Sequence, residues 1–101
     1  MAGYHNQSVK VLFKVISEID TAGECRAFFE DLCTIKEIQD MAQRLETAIL
    51  LSKKENYQAI SAKVGVSSAT ISRVNRCLNY GSGGYKNAIA KITEKENRDE
   101  N

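Results

Sequence analysis

The sequence predicts an all-helical protein: six helices in a single domain spanning residues 1–101. Three observations lead there. Proline is absent, and glycine occurs only at positions 3, 23, 65, 81, 83 and 84, so the strong breakers fall between candidate helices rather than inside them. Apolar residues recur at spacings of three and four, with almost none of the two-residue alternation of a half-buried strand. Twice, a threonine is followed three positions later by a glutamate, the capping-box mark of a helix start. A chain of 101 residues suffices for one domain with a thin core.

Val9, Leu12, Phe13, Ile16 and Ile19 form the stripe of a first helix that ends near "DTAGE". Thr21 and Glu24 open a short second helix carrying Phe28, Phe29 and Leu32. Thr34 and Glu37 open a long third one, with Ile35, Ile38, Met41, Ala42, Leu45, Ile49 and Ser52 along one side. "KKEN" interrupts that stripe. A fourth helix runs from about Tyr57 to Lys63, and a fifth from about Ser68 to Leu78. "NYGSGG" reads as a linker. The last helix groups Tyr85, Ala88, Ile89 and Ile92, and from about residue 94 the charged "EKENRDEN" is expected to fray. The early helices are apolar over a wide arc. A compact monomer would have to cover that arc within one small chain, so a homodimer that packs it between chains is the preferred expectation.

Charge is unevenly placed. Residues 56–93 contain no Asp or Glu and carry +5, whereas residues 1–55 and 94–101 each carry −2. An acid-free third of the chain suits a surface that faces a polyanion. The apolar runs reach four residues at most, far below the roughly 20 that cross a bilayer, so no membrane association is expected. The N-terminus lacks a secretory apolar core, which makes a cytoplasmic, nucleoid-associated protein the expectation. Cys25, Cys33 and Cys77 are odd in number and far apart, and no histidine pair accompanies them, so reduced packing cysteines are expected and no metal. His5 is read as a solvated terminal residue.

"YQAISAKVGVSSATISRVNR", residues 57–76, has the layout of a helix-turn-helix, which reaches to about residue 78. Ile60 and Val64 face inward one turn apart, and Ser61 is small where the second helix must approach. Gly65 occupies the turn, where a positive φ is cheap only without a Cβ. Val66 plugs the corner, Ser67 is the N-cap, and Ile71 and Val74 anchor the second helix from within. The outer face is then Ser68, Ala69, Ser72, Arg73 and Arg76. Small residues at the front let the helix end enter a major groove, where Ser exchanges hydrogen bonds and Ala meets a thymine methyl. Arg73 or Arg76 reaches guanine in a bidentate pair or clamps phosphate oxygens. Gln58, Lys63 and Thr70 are placed for phosphates on either side, helped by backbone N–H groups at the helix start.

"SATISRVNRCLNYGSGGY", together with "DLCTIKEIQDMAQRLETAILL", resembles the Trp-repressor-like proteins of the YerC/YecD type. The likeness runs from about Phe28 to Tyr85, and "ATISR" parallels the reading helix of Trp repressor. The resemblance implies a six-helix fold and an intertwined homodimer, each subunit's N-terminal helices threaded through the other. It also implies paired reading heads that meet successive major grooves of a double-stranded, pseudo-palindromic operator about 34 Å apart.

In Trp repressor the corepressor pocket uses two arginines and a glycine. Arg73 aligns with the reading-helix arginine. Arg44 matches the other if one residue is dropped near "SKKEN"; without that gap Gln43 falls there. Val74 stands where the glycine would be, and Cys77 replaces a serine. An effector pocket built from Arg44, Arg73, Val74 and Cys77 is thus a secondary expectation. The primary one is no cofactor, since Val74 would occupy the space an indole of tryptophan needs; a small corepressor of another shape stays open.

The functional expectation is a sequence-specific DNA-binding regulator, a repressor, that performs no chemistry. No paired carboxylates, no Ser/His/Asp set and no phosphate loop point to an enzyme, and "GSGG" lacks both a Walker lysine and a preceding strand. The alternative is a helical interaction module that docks on the transcription machinery through apolar surface around Tyr80 and Tyr85 without reading DNA.

Overall fold

The computed structural model describes residues 6–100 and contains six helices and no strand among them. The described residues divide into two compact units, one up to Ile38 and the other from Gln39 onward. His5 lies outside the described residues.

In the first unit, α1 (Gln7–Ser17) starts at Asn6, whose carboxamide oxygen accepts from Val9 N at 2.9 Å. α2 (Ala22–Leu32) starts at Thr21, whose hydroxyl accepts from Glu24 N at 3.1 Å, as the Thr–Glu spacing predicts. An exposed Arg26–Glu30 pair and an edge-on contact of Phe28 with Phe29, centroids 5.7 Å apart, lie along α2. Neither helix contains a buried residue. Of the apolar residues expected on these helices, Val9, Leu12, Ile16, Ile19, Phe28 and Phe29 are half-buried, while Phe13 is 50% exposed and Leu32 51%.

The start of α3 (Ile35–Ser52) is a complete capping box. Thr34 N donates to Glu37 Oε1 at 2.8 Å, and Glu37 N donates to Thr34 Oγ1 at 3.0 Å. The buried side of this helix differs from the expected stripe. Thr47 and Ala48 are buried, and Leu50 and Leu51 pack on the core, whereas Ile35 is 77% exposed and Ala42, Leu45 and Ser52 are exposed too. Thr47 tolerates the interior because its hydroxyl donates to Gln43 O at 2.7 Å.

α3 ends on Lys54, a non-glycine residue at φ 67°, and Glu55 N then donates to Leu50 O at 3.2 Å. Next come α4 (Tyr57–Val64) and α5 (Ser68–Tyr80), capped by Asn56 and Ser67 through Ala59 N and Thr70 N. Ile60, Val66 and Ile71 form the core cluster that fixes their crossing, with Val74 and Leu78 buried further along α5. Burying each such side chain contributes roughly 1.5–3 kcal/mol.

α5 runs two residues beyond the predicted end and closes on Gly81, whose N donates to Cys77 O at 2.9 Å. A Cβ at Gly81 would stand 2.4 Å from that same carbonyl oxygen. α6 (Gly84–Glu100) continues as helix through the charged segment that the sequence reading expected to fray. Glu, Lys and Arg there are good helix formers, and no breaker interrupts them.

Candidate nucleic-acid interface

The corner between α4 and α5 is built from three local devices. Gly65 sits at φ 84°, in the left-handed region, and its N donates to Ser61 O at 2.9 Å. Val66 turns inward and is 9% exposed. Ser61 has a role that its small size alone does not reveal: its hydroxyl donates to Val66 O at 2.8 Å and stitches the turn.

α5 is thereby split into two faces. Ile71, Val74 and Leu78 point inward. Ser68, Ala69, Ser72, Arg73 and Arg76 are all exposed, as are Gln58, Lys63 and Ser67 on the flanks, with Thr70 half-buried. Ser67 is occupied as the cap: it accepts from Thr70 N, and its hydroxyl donates to Thr70 Oγ1, both at 3.2 Å. Lys63 is ion-paired with Glu55, the acid that immediately precedes the acid-free stretch.

Behind this face lies a cavity of about 530 Å³. It brings together all four residues expected for an effector pocket: Arg44, Arg73, Val74 and Cys77. Gln43 lines it beside Arg44, so the register ambiguity between the two is not a choice in space. Asp40 and Tyr85 also line it, and sequence reasoning missed both. Val74, 2% exposed, forms part of the wall. A second depression beside the reading face is lined by Tyr57, Gln58, Ser61, Ala62 and Ser68.

Residues 7–93 match the model of the family described as Trp repressor protein. The chain belongs to the Trp repressor family. Within it, the chain is similar to the uncharacterized protein YerC of Bacillus subtilis (strain 168): 49% identical over 85 residues, covering 84% of this chain and 82% of that protein. Its fold is similar to the crystal structure of a TrpR-like protein from Eubacterium eligens ATCC 27750, with a TM-score of 0.85, 43% identity, and 89% and 93% of the two chains covered. It is also similar to a Trp repressor candidate from Staphylococcus aureus, with a TM-score of 0.84, 36% identity, and 88% and 89% covered. Among the described residues, no helix is long and apolar enough to cross a membrane.

Proposed function

We propose that this protein is a sequence-specific DNA-binding transcriptional regulator, a repressor, that reads the major groove as a homodimer and carries out no chemistry. One observation carries the reading: in a chain of the Trp repressor family, the second helix of the helix-turn-helix turns Ser68, Ala69, Ser72, Arg73 and Arg76 outward while Ile71 and Val74 hold it from within. Ser68, Ala69 and Ser72 enter the groove, and Arg76 takes guanine or phosphate. Arg73, at the rim of the cavity, is placed for either the DNA or the cavity wall. Gln58, Thr70 and the backbone N–H groups behind the Ser67 cap hold phosphates. The dimer reading is supported by the absence of any buried residue in α1 and α2, which leaves their apolar arcs for a second chain.

The deciding experiment is in vitro selection of bound duplexes from a random library. It should return a two-fold symmetric consensus with half-sites one helical turn apart. On the selected duplex, Arg76→Ala should lose about 1–3 kcal/mol of discrimination against mismatched sites. If Arg73→Ala and Arg76→Ala both bind every duplex as tightly as the parent, this face does not read DNA, and the interaction-module alternative takes its place. Tryptophan added to the same titrations should leave the curves unchanged, because Val74, which lines the cavity, stands where the resemblance to Trp repressor puts a glycine.

A further inference from the structure

The acid-free stretch begins one residue after Glu55, and that acid is not idle. Its position is fixed by the main chain: Lys54 turns left-handed, Glu55 N is tied to Leu50 O, and Asn56 caps α4. From this corner the carboxylate pairs with Lys63 Nζ in the last turn of α4, two residues before the Gly65 turn that leads into the reading helix. The Glu55 side chain is 24% exposed, that of Lys63 56%.

We propose that Glu55 sets the phosphate count of the DNA-binding surface by holding Lys63 in an internal ion pair. The surface then engages one phosphate fewer per subunit than its cations suggest. The inference rests on the DNA-binding reading above.

An ion pair this close to solvent adds little to folding stability, so stability alone is a weak reason for it. Its effect on a polyanion is larger. For Lys63 to reach a phosphate, it must abandon a largely covered carboxylate beside a strongly negative partner, which leaves one attraction and one repulsion side by side. Glu55 and Lys63 together are therefore neutral toward DNA. Replacing the carboxylate with its uncharged isostere releases the ammonium.

The test compares salt-titrated binding for four full-length proteins: native, Glu55→Gln, Glu55→Gln with Lys63→Gln, and the swapped pair Glu55→Lys with Lys63→Glu. Glu55→Gln should steepen the slope of log K against log salt by about 0.9 per subunit and tighten binding about eightfold per subunit at 0.1 M salt. The doubly neutral variant and the swapped pair should keep the native slope. A doubly neutral variant that flattens the slope by about 0.9 means that Lys63 already holds a phosphate, and overturns the proposal. So does a Glu55→Gln slope equal to the native one. Elution of the same set from immobilised heparin separates this inference from the reading beneath it. A native chain that binds no duplex defeats the regulator reading, while heparin still reports the pair: Glu55→Gln must elute at higher salt, and the doubly neutral variant with the native protein.

Discussion

Lys54 and Gly65, one on either side of α4, are both in the left-handed conformation, and they make opposite predictions. Lys54, at φ 67°, brings a Cβ into a region that costs an L side chain roughly 1–2 kcal/mol, and it does so to end α3 where α4 must begin. Gly65, at φ 84°, makes the same kind of turn at no such cost, and a Cβ there would meet open space. Lys54→Gly should therefore raise the unfolding free energy by about 1 kcal/mol, and Gly65→Ala should lower it by about 1–2 kcal/mol. Denaturant midpoints at unchanged slope would read both. Equal signs for the two would mean that contacts, not torsion angles, govern these positions.

Among the helices, α1 and α2 bury no residue, whereas α3, α4 and α5 each do. Phe13, half exposed on α1, is a natural point at which to disturb pairing between chains. If the proposed dimer pairs through α1, Phe13→Glu should shift it to monomer in light scattering and weaken binding to the selected duplex without touching α4 or α5. Binding as tight as the parent's from a dimer of unchanged mass would remove the support that α1 gives to the proposed assembly.

The same helices show which features the sequence made legible. Thr34–Glu37 and Gly65 were readable because a cap and a turn depend on neighbours in the chain. The inward side of α3 was not. Both of its faces are rich in apolar residues, and the buried one is centred on Thr47, a polar residue whose hydroxyl is satisfied by Gln43 O one turn back. Ser61 escaped for a related reason: its partner is the Val66 carbonyl across the corner, which no spacing rule announces. Arg44, Arg73, Val74 and Cys77 were gathered by resemblance, whereas Asp40 and Tyr85 join them only through the packing of α3, α5 and α6.

On the scale of the whole molecule, every buried residue among the described ones lies between Thr47 and Leu78. A core confined to about a third of the chain leaves stability dependent on what the open apolar faces meet. If they meet a second copy, folding and association are linked, and a tenfold rise in protein concentration should raise the unfolding midpoint by about 3–5 °C. A midpoint that ignores concentration would point to a chain that folds alone.

Gly81 carries one more consequence. Its φ of −85° is ordinary, so backbone preference alone would admit any amino acid there. The obstacle is the immovable Cys77 oxygen 2.4 Å from where a Cβ would stand. A side chain at position 81 must break the last turn of α5 and redirect the start of α6, which carries Tyr85 into the cavity wall. In a genetic screen, then, lesions in this linker would masquerade as defects in the cavity, although the altered side chain need never touch whatever the cavity holds.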